Sequence, residues 1–447
     1  MAIIELIKRR IATKRDLQTR LWRAGGLLVV FMLTMFVCNC VIPKDRAVTW
    51  DMLGHDFLPF YYGGTCARTG HYDQLYDLSA TRAFEFKTGH EAGLSMGKSF
   101  GPWWNPPFAA WMFAPLSALP YLTALHVWWT IGVISLGISL FLMCRMLDGG
   151  WKTKLLVPLL ICPMMPCFQA FCHGQNTYVS LLMLTVTVSL WRAGKSVLAG
   201  LVCGLLFYKP QLGALVAVVL ILSQGRRAML GVCMTGTALV LVNMLTMPGT
   251  MHEFVYHMPP NMQWIQEQIV YRWERHITFK AFWRMAIQGW EIGPTALSTK
   301  IMWGLSELAV LGGLAMLIFK MPFSERSGSG RDRLISAAII AMPLLMPFYF
   351  DYDLLLLTVG VVVLAADMQR TAKEQPTVNR EDRWLVGVLA TVYIGLEFTM
   401  LLYDSRIHPI VPLLSFATVL LIRRGLRVRS AATTESQPIV YPTALAA

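Results

Sequence analysis

The sequence predicts an all-α, polytopic membrane protein, and two observations support this fold class. Of the 447 residues, 55% are hydrophobic and only 15% are charged, whereas soluble domains contain about 25% charged residues. Apolar runs of membrane length also recur along most of the chain. A soluble globule is therefore excluded. The net charge of +13 does not indicate a nucleic-acid partner, because the cations lie between the apolar runs.

The apolar runs predict about twelve transmembrane helices, with re-entrant or interfacial helices in the outer loops. They lie near residues 25–42, 124–144, 155–171, 177–191, 197–222, 228–248, 301–319, 334–349, 354–366, 385–403 and 409–422. The run at 197–222 is interrupted by Lys209-Pro210, and Lys and Arg on both of its flanks favour the cytoplasm. We expect a short hairpin with Lys209 at its outer tip. Four prolines make the segment from Pro106 to Leu122 re-entrant or interfacial.

The distribution of Lys and Arg predicts the domain organisation and the orientation. Residues 1–24 form a basic cytoplasmic N-terminus, residues 25–425 form the transmembrane domain, and residues 426–447 form a cytoplasmic tail expected to be disordered. The two long outer loops span residues 43–123 and 249–300. The expected location is the plasma (inner) membrane, with both termini in the cytoplasm and the outer loops facing the periplasm or the exterior.

The first outer loop alternates acidic and aromatic residues, as in His55-Asp56 and Tyr61-Tyr62, followed by Asp73. Aromatic rings stack on the C–H faces of sugars, and carboxylates accept protons from hydroxyl groups. This pattern favours carbohydrate chemistry. The alternative is an interfacial aromatic belt with solvated acids.

Further polar residues lie at the outer ends of apolar runs, where ionisable groups are costly unless they serve a site. Lys209 either binds a lipid phosphate or extends towards the membrane surface. Asp351 and Asp353 either line a site or cap the helix that follows them. In the segment His173-Gly174-Gln175-Asn176, the histidine is either a local hydrogen-bonding residue or a ligand.

Two further possibilities concern metals and disulfides. Asp51, Asp56 and Asp73 carry the oxygen ligands that divalent cations prefer, but we expect no metal and no other cofactor because Lys209 supplies positive charge. Cys66 and Cys172 are both predicted on the outer side, and the sequence leaves open whether they form a disulfide.

An ordered set of short motifs resembles glycosyltransferase family 87, a family of integral-membrane enzymes of the GT-C class. The motifs are Asp56-Phe57 with Tyr61-Tyr62, Tyr72-Asp73, Trp104-Asn105-Pro106-Pro107, Gly174-Gln175-Asn176, Lys209-Pro210 and Asp351-Tyr352-Asp353. The resemblance implies a GT-C fold over residues 25–425, with a catalytic carboxylate that matches Asp56. It also implies a polyprenyl-phosphate sugar donor, with mannose as the best-known sugar, and inversion at the anomeric carbon. The segment Met346-Pro347-Phe348-Tyr349 departs from the family pattern because it lacks a histidine.

These observations predict an inverting membrane glycosyltransferase that moves a sugar to a lipid or glycan acceptor. Asp56 is the expected general base. Lys209 is the first expected ligand of the donor phosphate. The reserve ligands lie in the second outer loop and are Arg272, Arg275, His276, Lys280 and Arg284. The expected substrate-binding residues are His55, Tyr61, Tyr62, Asp73, Asn105, His173, Gln175, Asn176, Asp351 and Asp353. The alternatives are a lipid or glycan flippase, which would also have interrupted helices, and an inactive scaffold of an envelope-synthesis complex.

Overall fold

The computed structural model describes residues 14–41, 53–96, 100–328, 330–374, 379–399 and 405–435. These residues form helices, with one isolated antiparallel bridge between His276 and Phe350. In chain order the α-helices are α1 (Lys14–Val41), α2 (Leu58–Thr69), α3 (Leu78–Glu91), α4 (Tyr121–Met146), α5 (Trp151–Ile161), α6 (Met165–His173), α7 (Thr177–Arg192), α8 (Ser196–Leu205), α9 (Pro210–Gln224), α10 (Arg226–Thr246), α11 (Thr250–Gln268), α12 (Phe279–Gln288), α13 (Leu297–Lys320), α14 (Phe323–Ser327), α15 (Arg331–Ala341), α16 (Leu357–Glu374), α17 (Arg380–Glu397) and α18 (Ile410–Glu435). Short 3-10 helices cover His55–Phe57, Tyr72–Gln74, Pro107–Met112, Leu116–Ala118, Leu206–Tyr208, Trp273–Arg275, Met342–Leu345 and Asp351–Leu356.

Each predicted apolar run coincides with one or two of these helices, so the all-helical class is confirmed. Within the described ranges, α4, α10 and α13 are long and apolar enough to cross a membrane. The pair α5 and α6, bent by 53°, would make a fourth span. The bend coincides with Pro163, which has no N–H to continue the helix. Helices α7, α8 and α9 are apolar but shorter, and about twelve crossings remains a prediction.

Helix α7 joins two polar clusters at opposite ends of the bundle. Its 16 residues span roughly 24 Å at 1.5 Å per residue. At its first residue, Thr177 Oγ1 donates a hydrogen bond to Asp353 Oδ1 at 2.7 Å. At its last residue, Arg192 Nε donates to Asp332 Oδ1 at 3.1 Å. We call the end with Thr177 and Asp353 the site end and the end with Arg192 and Asp332 the arginine end.

Helices α8 and α9 form the hairpin expected at residues 197–222. Ser196 Oγ, at the start of α8, donates to Gln224 Oε1, at the end of α9, at 3.0 Å. The chain therefore reverses at Lys209, which lies at the site end. Helix α8 also packs tightly on α10, because a Cβ atom on Gly231 would lie 2.2 Å from the carbonyl oxygen of Val197. Such a contact accepts only glycine.

The segment from residue 53 to the start of α4 has its own aromatic core, which supports the site end. Phe57 stacks on Trp128 of α4 with 6.0 Å between ring centroids, and Phe60 of α2 stacks on Phe113 at 4.8 Å. The Pro-rich segment 106–122 forms two 3-10 helices before α4 begins, so no crossing helix lies there. Helix α11 contacts the connection between α2 and α3, where Asn261 Nδ2 donates to the carbonyl of Tyr76 at 2.7 Å.

The structure differs from the sequence prediction at the C-terminus. Helix α18 continues to Glu435, so residues 426–435 of the expected disordered tail are helical, and residues 436–447 lie outside the described part. The first 13 residues of the basic N-terminus also lie outside it. Cys66 and Cys172 are both free thiols, so the structure contains no disulfide between them.

Candidate functional site

The turn before α2 positions Asp56 at the site end. It begins at Gly54, whose φ of +80° lies in the left-handed region, where a side chain is strained. The Gly54 N–H donates to the carbonyl of Cys172 at 2.8 Å. Its own carbonyl accepts from the hydroxyl of Tyr121 at 2.7 Å. These two bonds fix the turn against α6 and α4, so Asp56 is held by tertiary contacts.

The Asp56 carboxylate is partly exposed and oriented from one side. Gln175 Nε2 donates to Asp56 Oδ2 at 2.8 Å, and His173 Nδ1 lies 3.8 Å from the same oxygen. About a third of the Asp56 side chain, 34%, is accessible to solvent. Next to it, His55 Nε2 is buried and makes no hydrogen bond to a described residue. A carboxylate held in this way remains accessible to a substrate hydroxyl group.

A glycine turn brings His173 and Gln175 to Asp56. Helix α6 ends at Gly174, which has a φ of +68°, and the Gly174 carbonyl accepts from Trp128 Nε1 at 3.0 Å. A left-handed glycine is the usual end of an α-helix because it has no Cβ atom to clash. The turn lets the side chains on both sides of it reach the same carboxylate.

Arg275 approaches this group through His173. Its Nη2 and Nε donate to Asp351 Oδ1 at 2.9 Å and Oδ2 at 3.2 Å. The same Nη2 lies 3.3 Å from His173 Nε2, so the imidazole bridges Arg275 and Asp56. The guanidinium also lies over the ring of Tyr352, 5.8 Å from its centroid. The fork-shaped pair with Asp351 sets the orientation of the guanidinium.

Lys209 forms a second, more deeply buried ion pair. Its Nζ lies 3.5 Å from Asp353 Oδ2, and only 9% of the lysine side chain is exposed. The other carboxylate oxygen accepts from Thr177, so both oxygens of Asp353 have side-chain partners. The residue before Thr177 is Asn176, whose side-chain amide is buried. Neither polar atom of this amide has a hydrogen-bond partner among the described residues. The consecutive residues Gln175, Asn176 and Thr177 link the Lys209 pair to Asp56.

Other predicted site residues lie further from Asp56 or have structural partners. Arg284 donates to the carbonyls of Gly289 and Glu291 and is fully buried. Arg272 is 61% exposed and pairs with Glu274 at 2.5 Å. Asp73 is exposed at the far end of α2, where its charge adds to the effect of burial that raises the pKa of Cys66 to about 11.

Tyr61, Tyr62 and Asn105 form part of the surrounding wall. The Tyr61 hydroxyl donates to the carbonyl of Leu119 at 2.8 Å, and that of Tyr62 donates to the carbonyl of Gln74 at 2.6 Å. Asn105 is buried, and its main-chain oxygen accepts from the Tyr76 hydroxyl at 2.8 Å. The structure therefore brings together His55, Asp56, His173, Gln175, Asn176, Lys209, Arg275, Asp351 and Asp353.

Two buried groups lie near this site. The sequence did not indicate Glu85, and it named His276 only as a reserve ligand for the donor phosphate. Glu85 of α3 is 2% exposed, and one of its oxygens accepts from the Gly101 N–H at 3.0 Å. Burial raises the pKa of Glu85 to about 8, the Gly101 N–H opposes this shift, and the Asp56 charge adds to it. His276 is buried beside Phe350, 4.1 Å between ring centroids. Burial, with a contribution from Arg275, lowers the pKa of His276 to about 3. Both imidazole nitrogens lack partners among the described residues.

The described residues contain no group of three or more His, Cys, Asp or Glu side chains arranged to hold a metal ion. Asp51, one of the three acids considered from the sequence, lies outside the described residues. Among the described residues, the site contains the carboxylates of Asp56, Asp351 and Asp353 and the cations Lys209 and Arg275.

The fold and site define a helical membrane protein. One end of it contains a partly exposed carboxylate, two carboxylate-bound cations and a buried amide without a partner among the described residues. The family model of glycosyltransferase family 87 matches residues 103–347. The chain belongs to glycosyltransferase family 87 and is a membrane glycosyltransferase. The resemblance seen in the sequence is thereby confirmed. Comparisons with curated proteins and with solved structures give no match. The matched range includes Lys209 and Arg275 but excludes Asp56 and Asp351.

Proposed function

We propose that this glycosyltransferase moves a sugar from a polyprenyl-phosphate donor to a hydroxyl of a lipid or glycan acceptor, with inversion at the anomeric carbon. Mannose is the first sugar to test. The reaction takes place on the extracytoplasmic side of the plasma membrane. Asp56 acts as the general base and removes the proton from the acceptor hydroxyl. At the same time, the hydroxyl oxygen of the acceptor attacks C1 of the sugar from the face opposite the phosphate.

The observation that carries this proposal is the environment of Asp56. Its carboxylate is held by Gln175 at 2.8 Å and is still about one-third exposed. A general base needs hydrogen-bond access to the proton that it removes. The amide of Gln175 orients one carboxylate oxygen and leaves the other for the acceptor. An inverting transfer requires only one such base, which agrees with a single exposed carboxylate at this position.

The leaving polyprenyl phosphate carries negative charge that cations must neutralise. The sequence ranks Lys209 first for this task, but the contacts favour Arg275 as the cation beside Asp56, since both contact His173. Lys209 is more buried and is paired with Asp353. We propose that Asp351 and Asp353 hold the two cations in position, and that the donor phosphate binds beside them. The buried amide of Asn176 supplies a polar group for substrate at the same depth.

The distribution of cations supports the proposed orientation. The arginine end carries Arg192, Arg331, Arg333 and Arg370 near helix termini and Arg424 within α18. Short segments rich in Arg and Lys face the cytoplasm in polytopic membrane proteins. The site end then faces the extracytoplasmic side of the membrane. Nucleotide sugars are absent from that side, so a sugar must arrive there on a lipid phosphate.

A reconstituted transfer assay tests the proposal. Purified full-length protein is incubated with radiolabelled polyprenyl-phosphate mannose and a lipid extract, with a nucleotide-activated mannose as the control donor. We expect a new labelled glycolipid from the lipid-linked donor alone, with the anomeric configuration opposite to that of the donor. Mass spectrometry of total lipids from parent and deletion strains then identifies the acceptor.

Two results would contradict the proposal. Transfer from the nucleotide sugar without the lipid donor would show that the site does not require a lipid phosphate. Movement of labelled donor across a liposome membrane without any new product would favour the alternative of a flippase.

A further inference from the structure

The arginine end contains more cations than anions. Seven arginines meet four carboxylates there, at the end of α7, the starts of α15 and α17, the end of α16 and the C-terminal half of α18. The arginines are Arg192, Arg331, Arg333, Arg370, Arg423, Arg424 and Arg427, and the acids are Asp332, Asp367, Glu381 and Asp382. Three positive charges of this cluster are therefore not balanced within it.

Several arginines share each carboxylate, and the distances show which arginines form the weakest ion pairs. Asp367 pairs with Arg424 at 2.9 Å and Arg370 at 3.4 Å, whereas Arg333 reaches it only at 3.5 Å. Asp332 accepts short bonds from Arg370 at 2.6 Å and Arg192 at 3.1 Å, whereas Arg331 stays at 3.6 Å. A carboxylate has two oxygens and orients few guanidinium groups well. Arg331 and Arg333 are left with the weakest contacts.

Unpartnered nitrogen atoms mark the same place. The Nε atoms of Arg331, Arg333 and Arg424 are buried and have no hydrogen-bond partner among the described residues. The side chains of Arg331 and Arg333 are only 14% and 11% exposed, so water compensates little of their charge. A buried cation without full compensation is costly, and this cost disappears when an anion with several acceptor oxygens binds.

We propose that the starts of α15 and α17, the end of α16 and the C-terminal half of α18 form a binding site for a phosphate-bearing anion. Guanidinium groups bind phosphate through paired N–H donors, which arginine provides better than lysine. The more exposed Arg370 and Arg427, at 38% and 32%, form its entrance. The site lies at the ends of apolar helices, the depth of lipid headgroups. Either an anionic phospholipid or free phosphate supplies the ligand. This site is separate from the Asp56 site and does not depend on the proposed reaction.

The test uses delipidated full-length protein in a neutral detergent. Phosphatidylglycerol, phosphatidylcholine and inorganic phosphate are titrated separately, and binding is followed by the thermal unfolding midpoint and, for the lipids, by native mass spectrometry. The test variant is Arg333→Gln, because Asp367 keeps two other arginines. The matched control is Lys373→Gln, which removes a cation at the same end that is 68% exposed and paired with Asp148.

We expect saturable stabilisation by phosphatidylglycerol and not by phosphatidylcholine, with at least tenfold weaker binding in Arg333→Gln and unchanged binding in Lys373→Gln. The same pattern with inorganic phosphate alone would assign the site to the free anion. Equal binding of both lipids without any phosphate effect, or wild-type binding by Arg333→Gln, would overturn the proposal. If Arg333→Gln does not fold, Arg331→Gln applies the same criteria, because Asp332 also keeps two arginines.

Discussion

Replacing Asp56 with asparagine tests the assignment of the general base, because it removes the charge and keeps the shape. In the wild type, Gln175 Nε2 donates to Asp56 Oδ2 at 2.8 Å. An asparagine oxygen at this position accepts the same bond. Because the side chain is also 34% exposed, we expect the free energy of unfolding to change by less than about 1 kcal/mol.

The effect on catalysis is expected to be much larger. A positioned general base contributes roughly 10²- to 10⁴-fold to the rate, which corresponds to about 3 to 5 kcal/mol of activation free energy. The Asp56→Asn variant should lose this factor in kcat. Its KM for the lipid-linked donor should stay equal or fall, because a negative charge has been removed from a site that binds phosphate.

The assay compares initial rates of glycolipid formation by wild type, Asp56→Asn and a matched control, Glu91→Gln. Glu91 is an exposed carboxylate of the same segment before α4, at the end of α3. The thermal unfolding midpoint of each protein shows that it is folded. A folded Asp56→Asn enzyme with kcat within threefold of the wild type would refute the role of Asp56 as base.

Three further predictions follow from the contacts. The double variant Arg275→Gln/Asp351→Asn removes the cation without leaving an unpaired buried acid. The initial rate of transfer should fall at least tenfold, and an unchanged rate would exclude Arg275 from donor binding. The stability of the wild type should fall as pH rises, and this fall should be absent in Glu85→Gln when thermal unfolding is measured at a series of pH values. Between about pH 5 and 8 the folded wild type holds a proton that the unfolded chain has released, so its stability falls by up to about 5 kcal/mol as pH rises; an identical pH dependence in both proteins would contradict the burial of this acid. Gly231→Ala should lower the unfolding midpoint by several degrees, since its Cβ would lie 2.2 Å from a backbone oxygen, whereas Gly236→Ala, with nothing within 4 Å, should not.

Local chemistry explains why the helices were predictable. The transfer of each apolar side chain from water contributes independently of its neighbours, so a run of such residues indicates a helix wherever it occurs. The interruption at Lys209-Pro210 was visible for a similar reason, because proline cannot continue the hydrogen-bond ladder of α8. The end of α18 was not predicted, since the small polar residues beyond residue 426 carry no strong helix stop other than Pro438.

Part of the site was also visible in the sequence. Polar residues at the ends of apolar runs, such as Asp56, Gln175 and Lys209, were recognisable because such positions are unfavourable for polar groups. The sequence did not show that Lys209 faces Asp353 or that Arg275 approaches His173. The sequence ranked Lys209 first as the ligand of the donor phosphate, whereas the contacts with His173 favour Arg275.

The sequence by itself determined the helical membrane class, the family and the positions where polar residues enter the bundle, because each depends on residues close together in the chain. Only the tertiary structure decided which of these groups meet. It joined Asp56 to Gln175 across 119 positions and buried Glu85 close enough to Asp56 for that charge to raise its pKa. It also collected the arginines of separate helix ends into one cluster. These pairings depend on how helices pack, and the free energy of an ion pair or a buried acid is set by neighbours that are distant in sequence.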